Sequence, residues 1–285
     1  MQIGIGLPNT LRIDGPAVVR WARRAEERGF YALSTIDRIV YPSYDSMTAL
    51  AVAAGATTQI GLFPDILLGP LYPPAWLAKA AASLDALSGG RLTLGLGVGG
   101  RPDDFAAMGR PFERRGRLMD EMLDLMVRAW AGEDVTGDGV PIGPEPADGR
   151  RVAMLIGGAS DAAVRRTVAY ADGWTAGGVP PEQVAPMVTR VRDAWREAGR
   201  EGEPRIATLV YFGLGDDEAS RRSLLQYYGF LGEWADRIAG SAVRSPQAAR
   251  DIVKAFADVG VTEVVFDPTV ADVDEVDRLA DAVLS

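Results

Sequence analysis

Leu84-Asp85-Ala86-Leu87-Ser88-Gly89-Gly90-Arg91-Leu92-Thr93-Leu94-Gly95-Leu96-Gly97-Val98 turns a helix into a strand within a few residues. Upstream, the apolar spacing over 75–87 predicts a helix that begins at Pro73-Pro74. A proline suits that start, because the N–H groups of a first helical turn lack a partner anyway. Gly89-Gly90 stops the helix, since glycine takes the left-handed conformation that a helix end favours. From 94 to 98 the chain is apolar or small with no polar face, which suits a strand covered on both sides. A buried strand entered from a helix through a glycine turn is half of a β–α–β unit.

The same unit recurs in both directions from this stretch. Strands are predicted over 2–8, 31–37, 60–67, 91–98, 152–157, 173–176, 205–212 and 263–266. Helices are predicted over 17–28, 46–57, 75–87, 113–131, 161–171, 182–199, 218–239, 246–260 and 273–284. Asp14 is the expected cap of the first helix and Gly29 its stop. The Gly-, Pro- and acid-rich stretch 132–150 reads as a loop. Eight such units in 285 residues predict one α/β domain over 1–285, a (β/α)8 TIM barrel with insertions after strands four and seven. A doubly wound open sheet is the alternative, but it requires neither eight units nor the extra helices.

Composition removes several function classes. The net charge of −9 argues against a nucleic-acid partner, which needs a basic face, and equally against an anionic membrane surface. With no cysteine there are no disulfides or thiolate metal sites; with no histidine, the commonest metal ligand and general base are gone, so no metal site is expected. Met1-Gln2-Ile3-Gly4-Ile5-Gly6 lacks the basic region and long apolar run of a signal peptide, so the cytoplasm is the expected location.

In such barrels the active site lies at the carboxyl ends of the strands. Those ends are Pro8-Asn9, Asp37-Arg38, Pro64-Asp65, Gly97 to Asp104, Gly157 to Ser160, Gly177-Gly178, Phe212-Gly213 and Asp267-Pro268. At Gly157-Gly158-Ala159-Ser160 a strand runs through two glycines into a helix start. This has the form of a phosphate cradle and equally that of a serine-capped tight turn. Gly95, Gly97 and Gly99 leave a side-chain-free surface against which a flat ring could lie, or room for a large neighbour. Asp103 follows in the same stretch. Asp37 and Arg38 can hydrogen-bond a heterocycle edge or form an ion pair at the rim. Pro64 before Asp65 suggests irregular backbone in the third strand. Tyr227, Tyr228, Phe230 and Trp234 read as core or as a pocket wall. Ala49, Ala53 and Ala56 make a small-residue stripe that could pack on a partner or on the barrel itself.

Read in order, these residues resemble the luciferase-like monooxygenase superfamily over nearly the whole chain. The most specific parts are Leu84-Asp85-Ala86-Leu87-Ser88-Gly89-Gly90-Arg91 and Ala171-Asp172-Gly173-Trp174. The resemblance implies an oxidoreductase that uses reduced FMN or the deazaflavin coenzyme F-420 on a small organic substrate. It implies a ring over the barrel mouth, touching the ends of strands two, three and four. Asp37, Pro64, Asp65, Gly97, Gly99 and Asp103 are its expected cofactor contacts, and the turn Gly157, Gly158, Ala159, Ser160 is expected to receive the phosphate. Several relatives carry a non-proline cis peptide at the place of Pro64-Asp65-Ile66. Many have histidine where this chain has Arg38, so Arg38 and Asp37 become the candidate catalytic residues. A homodimer is expected, and for the flavin variant a separate flavin reductase is a candidate partner. Three functional readings follow: a reduced-FMN monooxygenase of a largely hydrophobic substrate, an F-420-dependent reductase or dehydrogenase, and a non-catalytic cofactor-binding barrel.

Overall fold

The computed structural model describes residues 1–284; the last residue of the expected domain, Ser285, lies outside the described residues. All strand pairings are parallel, in the order β3-β2-β1-β9-β8-β7-β6-β5-β4. The strands are β1 Gln2–Gly6, β2 Ala32–Thr35, β3 Gly61–Pro64, β4 Leu67–Leu68, β5 Thr93–Gly97, β6 Ala153–Gly157, β7 Gly173–Ala176, β8 Arg205–Phe212 and β9 Glu263–Pro268. The two ends of the order, β3 and β4, are neighbours in the chain, and both meet β5. The Leu62 N–H donates to the Arg91 carbonyl at 2.9 Å, and Leu67 pairs with Leu96. The sheet thus closes into the expected barrel.

The third strand, predicted as one element over 60–67, is split in two. The break is at Asp65-Ile66, which is a cis peptide bond between non-proline residues. The side-chain-free backbone of β5 faces this break. A Cβ on Gly95 would collide with the Pro64 carbonyl, and one on Gly97 with Ile66. The alternating glycines therefore accommodate a large neighbour, the irregular backbone of strand three.

The helices follow where the sequence provides starts and stops. α1 (Gly15–Glu27) is capped by the Asp14 carboxylate, which accepts from Ala17 N–H at 2.7 Å. α3 (Pro74–Ser88) ends at Gly89 with φ +70°. Two helices differ from expectation. The stretch 113–131 resolves into α5 (Arg115–Trp130), preceded by a separate α4 (Pro102–Ala107) that Pro102 opens. The stretch 218–239 is broken into α8 (Asp217–Tyr228) and α9 (Glu233–Ser241), because Gly232 takes φ +58°, a conformation no helix interior allows. α10 (Pro246–Asp258) follows, so the fourth and seventh strands of the barrel, here β5 and β8, both carry extra helices. The remaining helices are α2 (Ser46–Ala56), α6 (Asp161–Tyr170), α7 (Pro181–Glu197) and α11 (Asp274–Val283). Ala49 and Ala53 of α2 turn inward and are buried in the barrel's own core. No helix among the described residues is long and apolar enough to cross a membrane.

The most specific sequence motifs prove to be stitches. Arg91 donates to the Ile60 and Ala54 carbonyls, tying α2 to the start of strand three. Asp85 accepts from Ala147 N–H and pins the 132–150 loop onto α3. Asp172 pairs with Arg151 and accepts from Met154 N–H. Trp174 donates its indole N–H to the Gly158 carbonyl at 2.7 Å, which orients the glycine turn after β6.

Inside the barrel the side chains stack in layers, as alternate strand residues point inward. At the amino-terminal end Arg205 grips Glu263 with two bonds, at 2.7 and 2.9 Å. Above it lies an apolar layer of Ala32, Phe63, Leu155, Ala207 and Val265. The next inward positions are Ser34, Asp65, Thr175 and Asp267, just under the carboxyl-end mouth.

Candidate active site

A cavity of about 360 Å³ opens at the carboxyl ends of β2, β4, β6, β7 and β8. Its floor is made by Asp65, Ile66, Gly157 and Thr175, with Gly177 and Gly178 beside them. One wall is polar, formed by Asp37, Arg38 and Arg101, and the facing wall is aromatic, formed by Tyr211, Tyr227, Tyr228 and Phe230. Of the sequence-predicted site residues, Asp37, Arg38, Asp65, Gly157 and Gly158 meet here. Pro64, Gly97, Gly99, Asp103, Ala159 and Ser160 lie outside the lining.

Asp37 sits at the end of β2 and is held from two sides. Its carboxylate accepts from Leu68 N–H at 2.9 Å and from the Tyr72 hydroxyl at 2.9–3.0 Å. Burial pushes its acid up to about 6, against the pull of those two donors. Burial likewise drives the Tyr72 hydroxyl far above its ordinary range, so it stays a donor. Asp37 thus links β2 to β4 across the barrel opening and presents the rest of its edge to the cavity.

Arg38 is buried and anchored. Its Nε donates to Asp104 at 2.8 Å, one Nη donates to the Val40 carbonyl, and Asp103 lies at 3.5 Å. Asp104, fully buried on α4, also accepts from the N–H groups of Ile39 and Val40. The guanidinium lies 5.7 Å from the ring centres of both Tyr41 and Tyr227. It therefore fixes the 37–40 segment while keeping a face on the cavity. Asp103 is instead taken by Arg101 at 2.6 Å, and that contact holds it below the usual carboxylate range. Gly99 faces Phe105 and Leu68.

Arg101 was the least visible of these residues in the sequence, being one arginine in a glycine-rich run. It stacks 3.6 Å above the Phe230 ring and keeps a buried Nη1 with no partner among the described residues. The aromatic wall is bonded together: the hydroxyls of Tyr211 and Tyr228 are 2.6 Å apart, and Tyr227 meets both Tyr41 and Tyr228 edge-on at 4.9 Å. Burial raises the hydroxyl acids of all three cavity tyrosines, Tyr228 to about 12, so this wall is neutral.

The turn after β6 has the features of an anion cradle. Gly158 has φ +108°, which only glycine adopts without strain. Ser160 caps α6 by accepting from Ala163 N–H. The N–H groups of Gly158, Ala159 and Ser160 have no partner among the described residues, and all three residues are exposed at the positive end of α6.

Beneath the floor lie Asp65 and Asp267. Asp65 Oδ1 accepts from the Thr175 hydroxyl at 2.9 Å, while Asp65 Oδ2 and Asp267 Oδ1 have no partner among the described residues. Burial pushes the Asp65 acid up to about 7; burial and then the Asp65 charge push Asp267 well above its ordinary range. Strand parity could have found Thr175, two residues after the inward Gly173.

Comparison with known proteins agrees with this architecture. A family model described as luciferase-like monooxygenase matches residues 1–276. An uncharacterised protein of Mycobacterium tuberculosis strain H37Rv is 31% identical over 227 residues, covering 70% of this chain and 78% of that protein. The structure is similar to the monooxygenase RslO1 from Streptomyces bottropensis, with a TM-score of 0.80 at 25% identity over 100% of this chain and 99% of that one. It also shares its fold with an F420-dependent secondary alcohol dehydrogenase, solved with an F420–acetone adduct, at a TM-score of 0.82, 17% identity and coverage of 100% and 99%. The chain belongs to the luciferase-like monooxygenase family of oxidoreductases.

Proposed function

We propose that the chain is a flavin-dependent monooxygenase that works with reduced FMN and dioxygen on a small, largely hydrophobic organic molecule. The observation that carries this reading is the cradle. Three unpartnered N–H groups at a helix start adjoin a cavity whose lining includes Gly157 and Gly158, so an anionic tail and a ring have adjacent places. The residues present fit such a group: a side-chain-free turn for a phosphate, and a floor of small residues and Ile66 for a flat ring. When bound, reduced flavin supplies the electrons and the reactivity towards dioxygen.

The protein's own residues do the rest. Gly158, Ala159 and Ser160 bind the phosphate. Asp37, kept in place by Tyr72 and Leu68, orients the ring's polar edge. Arg38 and Arg101 give the polar wall positive charge where negative charge develops. Tyr211, Tyr227, Tyr228 and Phe230 exclude water and receive the apolar substrate. The cradle accepts any cofactor with a phosphate, so F-420 with hydride transfer is the second reading.

Titrating the protein with FMN, reduced FMN and F-420, followed by absorbance and fluorescence, decides the matter. Reduced FMN is expected to bind. Ala159→Asp puts a negative charge beside the phosphate at an exposed position and is expected to weaken binding about tenfold or more, with thermal unfolding unchanged. Binding of F-420 in place of FMN overturns the flavin assignment, and unchanged affinity in Ala159→Asp overturns the cradle. Gly158 is less useful as a probe, because any side chain at φ +108° strains the turn itself.

A further inference from the structure

The barrel interior carries two layers of charge with an apolar layer between them, and only the lower one contains a cation. There Arg205 answers Glu263 and also donates to Thr93 and Tyr31. The upper layer has Asp65 and Asp267 and no basic side chain. β7 supplies Thr175 and β2 supplies Ser34, whose hydroxyl has no partner among the described residues. β8 presents Tyr211, which pairs with Asp267 in register, and α8 presents Tyr227 and Tyr228. The inward positions of β1, β5 and β6 at this height are Gly6, Gly97 and Gly157, which bring no charge. Gly6 is the position that makes room for Asp267, since a Cβ there would collide with its carboxylate.

Two carboxylates are thus enclosed together, 7% and 2% exposed, each with a buried oxygen that has no partner among the described residues. Two ionised carboxylates cannot share so dry a site without a counter-charge. One way to neutralise them is a proton. Asp65 is the member that reaches the cavity floor, and its free oxygen is Oδ2, because Oδ1 is occupied by Thr175.

We infer that Asp65 and Asp267 form a buried acid pair beneath the cavity, which stores one exchangeable proton at Asp65 Oδ2 and delivers it to a base formed in the cavity. The step is balanced: the O–H bond at Asp65 Oδ2 breaks, an O–H or N–H bond forms on the acceptor, and the carboxylate left behind is reprotonated from water entering through the mouth. Asp267 is a positioning residue. Burial and then the Asp65 charge hold its own acid well above the ordinary range, so Asp267 keeps its proton while Asp65 exchanges, and the two titrate as a unit. The pair gives a protein without histidine an acid that works near neutrality, matching the raised position of Asp65. The delivery step rests on the cavity being the redox site; storage of the proton does not.

The test therefore has two readouts. First, infrared spectra of the unliganded protein are recorded across pH 4–9. A protonated carboxyl band that disappears with a midpoint near 7, and is missing in Asp65→Asn, is expected. Titration of Asp65 in the ordinary carboxylate range overturns the proposal. Second, reoxidation of protein-bound reduced FMN by dioxygen is followed against pH. With both proteins saturated with reduced FMN, the wild-type rate is expected to fall as pH rises through the infrared midpoint, and Asp65→Asn is expected to be about a hundredfold slower with no such fall. A wild-type alkaline fall retained in Asp65→Asn overturns delivery. Should Asp65→Asn not fold, Asp267→Asn serves: the carboxyl band that persists above the wild-type midpoint is expected to disappear while the step near 7 remains, and loss of the step near 7 in that variant overturns its assignment to Asp65. If reduced FMN does not bind at all, the functional reading fails by that measurement, while the infrared titration still decides the pair.

Discussion

The two polar layers of the barrel interior are built from the same materials and behave in opposite ways. In the lower one, Glu263 is matched by a two-pronged guanidinium, whose other bonds go to Thr93 and Tyr31. In the upper one, a single hydroxyl, that of Thr175, donates to Asp65, and the buried Asp65 Oδ2 and Asp267 Oδ1 have no partner among the described residues. Compensation marks a layer that only has to hold the barrel shut. Its absence, directly below a cavity, marks a layer whose charge state is meant to change. The apolar layer of Phe63, Leu155 and Val265 separates the two.

The largest effect that would break this contrast is loss of the lower cation. Arg205→Met leaves Glu263 buried without a partner and is expected to cost about 3–5 kcal/mol in urea unfolding. Adding Glu263→Leu to Arg205→Met removes the stranded charge and is expected to recover most of the loss. A cost under about 1 kcal/mol for Arg205→Met would mean that the lower layer is no more compensated than the upper.

Much of the barrel was legible because its signals are local. A helix that stops at Gly89 and restarts as a buried strand at Thr93 can be read from neighbouring residues alone, and the same holds for Asp14 capping α1. Failures came where local signals conflicted with long-range packing. The third strand looks continuous from Ile60 to Leu67, yet it breaks at Asp65-Ile66, facing the glycines of β5. The glycine run Gly95, Gly97 was open to two explanations, and only the partner across the sheet shows that it makes room for Ile66. The same limit applies to the site. Asp37, Arg38, Asp65 and the Gly157-Gly158 turn were readable as strand ends. Arg101 and the pairing of Asp65 with Asp267 were not, because those residues are far apart in sequence and meet only when the barrel closes. Nor could the sequence show that Arg38, expected at the reacting atoms, would also be held in a buried ion pair by Asp104.

A second, smaller effect sharpens the contrast through pH. The Asp65 acid is raised to about 7 in the folded protein, from an ordinary carboxylate value near 4 when unfolded. The folded state therefore holds this proton more tightly than the unfolded state. The associated stability is fully present below about pH 4 and is lost as pH rises through about 7. Asp65→Asn has no proton to lose. Relative to wild type, the variant is expected to gain about 3 kcal/mol in urea unfolding between pH 4.5 and pH 8. A wild-type–variant difference that is flat across this range would place Asp65 among ordinary surface-like carboxylates.

The smallest effect concerns one hydrogen bond. Thr175 provides the one donor that the structure assigns to either aspartate, at 2.9 Å from Asp65 Oδ1. A hydroxyl donating to a carboxylate stabilises the ionised form, so this bond works against burial and lowers the proton affinity of Asp65. Thr175→Val keeps the branched shape and removes the hydroxyl, in a residue that is itself buried on β7. A net hydrogen bond of this kind is worth roughly 1 kcal/mol, so the midpoint of Asp65 is expected to rise by somewhat under one pH unit. The alkaline fall in the reoxidation rate should move upward by the same amount. Such a coincidence would separate a proton held at Asp65 from one held elsewhere. If Thr175 only packs the floor, the variant changes stability and leaves both midpoints in place. A downward shift would overturn the placement at Oδ2, since it would mean that Thr175 accepts from a protonated Oδ1 instead of donating to it. Its hydroxyl can play either part, and the direction of the shift identifies which oxygen of the carboxyl carries the proton: Oδ2 if the midpoint rises, Oδ1 if it falls.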